Sequence, residues 1–289
     1  MTDAASLRSR AEAVAAAYPP LLASAERLAA NVQMGEHGRR RSGSGDAFWQ
    51  YRPLVQGDEA RLIDWRRSAR GDEQFIKQRE WEVAQSMLLW VDQAASMGFA
   101  SSDGLTTKAE RARLLGLAVA VLLVRGGERV ALGASLPPRR GEAQLQRITA
   151  ALTADRPEDF GAPDLTPMVP NSRALVISDF LGDLAPLREM LGKAVARGIR
   201  GTLYQILDPA EEEFPFRGRT IFESMAGGLK HETLQADALR DRYLQRLAER
   251  KAELHDLASA SGWRVGLHHT NDASQSALLW LYEAVQGGV

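Results

Sequence analysis

The chain has 289 residues, 45% hydrophobic and 25% charged, with a formal net charge of −1 and a mean hydropathy of −0.26. That is enough for one large packed domain, or one domain with a decorated insert, and too balanced a charge for the whole chain to attract nucleic acid or an anionic membrane. The absence of cysteine excludes disulfides, thiolate nucleophiles and cysteine-ligated metals, and it suits a reducing, cytoplasmic setting.

Met1–Arg10 carries acids and hydroxyls rather than a signal peptide. Residues 6–32 are alanine-rich with helical spacing and are divided by Pro19-Pro20. Residues 35–46 read as a flexible loop of glycine and arginine. Residues 48–82 are dense in aromatic and charged side chains, with a short extended run over Phe75–Arg79. From Ser86 the pattern becomes regular. Ser86-Met-Leu-Leu-Trp-Val-Asp92 is a short apolar run ending in an acid, as a buried strand would be. Thr107–Val124 predicts a helix. Its apolar part from Leu114 is broken by glycine and is far below the roughly 20 residues of a membrane span, so no span is expected. A strand over Arg129–Ala134 and a helix over Gly141–Leu152 follow. Arg173–Asp179 repeats the form of the first strand, and a helix over Leu184–Arg197 is stopped by Gly198. Gly201–Leu207 and Trp263–His268 read as further strands. Leu234–Ala260 reads as a long outer amphipathic helix, with His231-Glu232 at its opening, and Ser274–Val285 as a last helix.

Apolar strands alternating with helices predict an α/β fold, with a mainly parallel sheet covered on both faces. The domain division is 1–84 for the N-terminal part and 85–289 for the α/β domain. Ligands of such sheets bind at the carboxyl ends of the strands, where strand order reverses. If the first and third of these strands are neighbours there, Asp92 and Asp179 line one crevice.

Between residues 39 and 81 the chain carries a set of arginines and tryptophans. Planar side chains of this kind are enriched in interface hot spots. Arg39, Arg40, Arg41, Arg52, Arg66, Arg67 and Trp49 are therefore candidates for contact with a protein partner. Internal pairing with Asp58, Asp64, Asp72 and Glu80 is the structural alternative, and it is the preferred reading for Asp64, Trp65 and Arg70, with Trp65 expected in the core. Acids nearly match bases here, so nucleic acid is not the expected partner. No P-loop, nucleophile elbow or base-activated nucleophile is present. The histidines are read as satisfied strand- and helix-end residues, and Glu211-Glu212-Glu213 as a solvated acidic turn.

The series Gly57-Asp58, Arg61, Ile63-Asp64-Trp65, Ser68-Ala69-Arg70, then Asp92–Met97, Ile177-Ser-Asp-Phe180 and Pro215-Phe-Arg-Gly-Arg219 resembles the family called domain of unknown function 58. The resemblance runs from about Gly35 to the C-terminus. It implies a von Willebrand A-like, Rossmann-type domain with an N-terminal arginine- and tryptophan-rich elaboration, and a MoxR-type AAA+ ATPase as partner. It also implies a metal-ion-dependent adhesion site, built from Asp-x-Ser-x-Ser, a threonine and a late aspartate. In this sequence Asp92, Ser96 and Asp179 match. Ala94 stands at the first serine, and the threonine loop falls near Gly161–Asp164, with only Thr166 close by. Three oxygen-bearing side chains can hold a hydrated magnesium ion; otherwise the aspartates cap strand ends. The resulting expectation is a non-enzymatic binding module with a degenerate metal site. The alternative is a metal-dependent hydrolase using Asp92 and Asp179.

Overall fold

The computed structural model describes residues 5, 6, 8, 9, 42, 43, 47–53, 63–69, 74–80, 86–153, 158–228 and 230–286. The helical pieces expected within residues 10–32, the loop bearing Arg39, Arg40 and Arg41, and the signature positions Gly57, Asp58, Arg61 and Arg70 lie outside them. The chain divides into two compact units, Ser24–Ala84 and a larger one of Met1–Ala23 with Gln85–Val289.

In the smaller unit, strands β1 (Ser42–Gly43), β2 (Ala47–Pro53) and β3 (Phe75–Glu80) form an antiparallel sheet in the order β1-β3-β2. The register slips between Phe48 and Gln50, so Trp49 sits at an irregularity in β2. A single helical turn, α1 (Trp65–Ser68), is latched to β3. Asp64 N donates to Phe75 O, and Phe75 N donates to Ser68 Oγ, each at 2.9 Å. The expectation that Trp65 is core is corrected: it opens this four-residue helix and is 62% exposed. One turn has too little surface to turn its first side chain inward while Ser68 faces β3.

The larger unit holds a six-stranded sheet in the order β11-β8-β7-β4-β5-β6. Its strands are β4 (Ser86–Val91), β5 (Arg129–Leu132), β6 (Leu136–Arg139), β7 (Arg173–Ser178), β8 (Arg200–Leu207) and β11 (Arg264–His269). All neighbours are parallel except β6, which returns antiparallel to β5. Every residue of β4 is buried, as a central strand covered on both faces must be. Its side chains alternate. Leu88 and Trp90 join a core with Leu187, Met190 and Leu191 of α4 (Ala185–Ala196) and Leu254 of α6 (Arg240–Ala260). Leu89 and Val91 point the other way, towards Gly116 of α2 (Lys108–Arg125).

Helix α2 starts at a full capping box, Thr107 with Glu110, a device that satisfies two free amides at once. Of its 18 residues 14 are buried, which explains a sequence apolar nearly all round. A β-carbon at Gly116 would fall 2.8 Å from Val91 Cγ2. Glycine there lets the helix lie on the sheet, at an intrinsic helix penalty of about 1 kcal/mol. Helices α3 (Glu142–Leu152) and α7 (Ser274–Gln286) pack against α2. No helix among the described residues is long and apolar enough to cross a membrane.

Several elements differ from the sequence expectation. The strand expected to Ala134 ends at Leu132, and a turn at Gly133 leads into β6. Pro137-Pro138 hid that strand, because proline fits a sheet only where its missing N–H is not needed, as at this edge. The helix expected from Leu234 begins at Arg240, and His231-Glu232 lie in a hairpin of β9 (Thr220–Glu223) and β10 (Lys230–Thr233). Glu211-Glu212-Glu213 is no solvated turn: it ends the short helix α5 (Pro209–Glu213), which Asp208 and Glu211 cap reciprocally.

Candidate functional site

Strand order places the site. From β4 the chain runs outward to β5 and β6, then restarts at β7 on the other flank and continues to β8 and β11. The reversal lies between β4 and β7, where a crevice opens at the carboxyl ends of the strands. Asp92 follows β4 and Asp179 follows β7, and Asp92 N donates to Ile177 O at 2.9 Å as the last rung of the ladder. The two sequence-selected acids are therefore side by side. A third, Asp208, leaves β8 at the same end.

The three aspartates share one local geometry. Oδ1 of each accepts the backbone N–H two residues on: Ala94 at 2.9 Å, Leu181 at 3.1 Å and Ala210 at 2.8 Å. This is the turn that aspartate favours, because its short side chain mimics a backbone carbonyl. The second oxygens diverge. Asp92 Oδ2 accepts from Ser178 Oγ at 2.7 Å, Asp179 Oδ2 from Lys108 Nζ at 2.8 Å, and Asp208 Oδ2 from Ser101 N at 2.9 Å. None of the three exceeds 1% exposure. Phe180 beside Asp179 is held at φ 51°, a left-handed conformation that costs a non-glycine residue about 1–2 kcal/mol, and it turns the chain so that Leu181 N faces back to the carboxylate.

Lys108 is the hub. It opens α2 with 1% exposure, and its ammonium donates to both Asp179 Oδ2 and Glu211 Oε1, the latter at 2.6 Å. The Phe99 ring lies 5.9 Å from the nitrogen. Burial works against the lysine's charge, but Asp179 and Glu211 outweigh it and lift its pKa above 10.5. Burial pushes Glu211 above its ordinary 4.5, with Lys108 opposing. Burial also pushes Asp92 above 3.8; the Ala94 and Ser178 hydrogen bonds oppose that rise and the Asp179 charge adds to it. Next to Glu211, Glu212 turns instead to Lys251 of α6 and His269 of β11.

A loop roofs the crevice. A β-carbon at Gly161 would lie 2.2 Å from Asp92 Oδ1, so only glycine lets the backbone come this close, and its amide donates to Asp92. The same loop is tied down by Ala95 N and Ser96 N, which donate to Glu158 O and Asp159 O at 2.8 and 2.9 Å. Asp159 Oδ1 accepts from Ala226 N in the β9–β10 turn. The rim displays Phe160, lying against Gly182 and 44% exposed, and Met225, lying against Gly98 and 49% exposed. Below α5 an open groove of about 980 Å³ is lined by Phe214, Phe216, Arg217 and Arg240 among others, so part of the Pro215–Arg219 segment borders it.

Of the residues chosen from sequence, Asp92 and Asp179 come together in the larger unit, and Ser96 lies in the short turn that follows Asp92. Ser96 is 8% exposed, and its Oγ has no hydrogen-bond partner among the described residues. Thr166 N instead bonds Asp164 Oδ1. No group of three or more His, Asp or Glu among the described residues could hold a metal ion. Trp49, Asp64, Trp65, Ser68, Arg52, Arg66 and Arg67 lie in the smaller unit; Arg66 is exposed and Ser68 is buried. Sequence reasoning missed Lys108, Gly161, Asp208 and Glu211. Two signals were available: a lysine in the first turn of a helix opposes the macrodipole, and Asp208-Pro-Ala-Glu211 is a capping-box pattern.

Residues 50–253 match the family described as "Protein of unknown function DUF58". An uncharacterized protein of Mycobacterium bovis is 27% identical over 242 residues, covering 77% of this chain and 74% of its own length. An uncharacterized protein of Mycobacterium tuberculosis strain H37Rv matches to the same extent. Among solved structures, an uncharacterized membrane-spanning protein of Vibrio fischeri covers 67% of this chain and 94% of its own, at 15% identity and a TM-score of 0.20. So slight a likeness carries no weight for the fold.

Proposed function

This chain belongs to the DUF58 family, and on that premise we propose that it is a non-enzymatic protein-binding module of von Willebrand A-like fold, an adaptor or recruiting factor for a MoxR-type AAA+ ATPase in the cytoplasm. Support for the fold comes from the sheet order, with five parallel strands and one antiparallel edge strand beside the second. The ATPase partner rests on the family resemblance alone. The observation that carries the binding reading is a sealed switch-point crevice beneath a rim that displays Phe160 and Met225. Aromatic and methionine side chains are among those enriched at protein-contact surfaces.

A hydrolase needs a carboxylate within hydrogen-bond reach of its substrate. Asp92 and Asp179 are each 1% exposed and hydrogen-bonded through both oxygens, which does not favour that alternative. In the smaller unit, exposure of Trp65 and Arg66 extends the docking reading to residue types typical of hot spots. Arg39, Arg40, Arg41, Arg52, Arg67 and Trp49 are candidates on the same reading.

The test is interferometry of the purified chain against a MoxR-type ATPase from the same organism, run beside a screen of phosphoester and peptide substrates. Binding without turnover is expected, weakened about tenfold or more by Phe160→Ala with Met225→Ala, a loss of about 1.4 kcal/mol or more. Turnover abolished by Asp179→Asn, or undiminished binding by the double variant, refutes the proposal.

A further inference from the structure

We infer that the Lys108 ammonium is this protein's own cation at the switch point, standing where an adhesion-type site would hold a divalent metal, so that its recognition face works without metal. The inference deepens the binding reading of the same crevice and rests on it.

A magnesium-type ion demands near-octahedral oxygen ligands at about 2.0–2.1 Å. The donors here are otherwise engaged. Asp92 presents one oxygen to Ala94 N and the other to Ser178 Oγ, beneath a Gly161 backbone that leaves no room for a methyl group. Asp179 presents one oxygen to Leu181 N and the other to Lys108. Ala94 and Gly161–Pro163 bring no side-chain oxygen. Ser96 Oγ is the one buried hydroxyl of the set without a partner among the described residues, and a single hydroxyl makes no coordination shell.

What the site does contain is a positive charge. The ammonium lies within 2.8 Å of Asp179 and 2.6 Å of Glu211, 1% exposed, over the Phe99 ring. It ties Asp179, at the end of β7, and Glu211 of α5 to the start of α2, and so occupies with its own charge one of the two aspartates that a metal at the switch point would need. It differs in being covalently part of the chain, so it can neither dissociate nor lend an open coordination position to a partner's carboxylate. A partner would then be recognised by the rim side chains rather than by a ligand-to-metal bond.

The test is titration of the full chain with Mn²⁺, followed by electron paramagnetic resonance and calorimetry. For the natural sequence, no saturable site tighter than about 1 mM is expected, the weak end of all-oxygen cation sites. A stoichiometric Mn²⁺ site lost in Asp179→Asn overturns the inference. In Lys108→Ala, which removes the ammonium and leaves both carboxylates, Mn²⁺ affinity is expected to rise at least tenfold, with a melting temperature that rises on adding Mg²⁺. If the variant folds without that gain, Lys108 is an ordinary ion pair and the inference falls; if it does not fold, titration of the natural chain decides. Partner capture in EDTA separates the two readings. Persistent capture supports metal-free recognition, and capture lost in EDTA and restored by Mg²⁺ overturns it. With no capture under any condition the docking proposal fails, and the Mn²⁺ titration still judges the lysine.

Discussion

Replacing Lys108 by Met keeps the aliphatic stem and deletes the charge. Asp179 and Glu211, with side chains at 2% and 14% exposure, then face each other without their shared cation. Removing one partner of a buried ion pair costs about 3–5 kcal/mol, mainly because the remaining charge is stranded. A domain stable by about 5–15 kcal/mol would lose from roughly a fifth to all of its margin. At a urea slope of roughly 3 kcal/mol per molar, the midpoint should fall by about 1–2 M at pH 8. The pH dependence gives the mechanism its signature. Glu211 already sits above 4.5, and without the ammonium, which opposes that rise, its folded-state pKa climbs further. The folded state then holds protons that the unfolded chain has released, so the stability deficit grows as pH rises through the ordinary carboxylate range and shrinks as it falls. The assay is equilibrium urea unfolding of both proteins at pH 5 and pH 8, with Glu211→Gln added to the variant to recover part of the loss. Equal midpoints at pH 8, or a deficit independent of pH, would show that this ion pair does not hold the three elements together.

Gly161→Ala places a methyl group 2.2 Å from Asp92 Oδ1 and should destabilise by about 1–3 kcal/mol in thermal unfolding, the usual range for forced overpacking. Gly104→Ala, where the new group meets nothing within 4 Å, is the control and should leave the transition unchanged. His268 is buried against Tyr204, and burial, with the Arg111 charge adding to it, lowers its pKa from 6.5 to about 4. The folded state thus refuses a proton that the unfolded chain accepts, and stability should be lost as pH falls from 6.5 to about 4, by up to roughly 3 kcal/mol. His268→Phe should flatten the stability profile over that window; an unchanged slope would point to other groups.

Much of the scaffold is legible in the sequence because its signals are local and periodic. Ser86–Asp92 and Arg173–Asp179 read as buried strands ending in acids, and parallel pairing of β4 with β7 puts those acids together. The partners of the acids were not legible. Lys108, Glu211 and Ser178 meet them only through the fold, 71 residues separating Lys108 from Asp179 and 103 separating it from Glu211. In the sequence Gly161 stands only at the start of the segment where a threonine loop is expected, and its role depends on a close approach that spacing does not encode. Trp65 shows the opposite failure. Its apolar character argued for burial, but a one-turn helix could not deliver it.

Three neighbouring strands release their loops through the same two-residue aspartate step. Everything downstream of residues 94, 181 and 210 begins from a fixed direction, whatever its length or composition. Such standardised exits separate the upkeep of the sheet from the choice of what the loops display. Relatives as divergent as 27% identity could then exchange rim residues, and with them binding preferences, while strand register stays put.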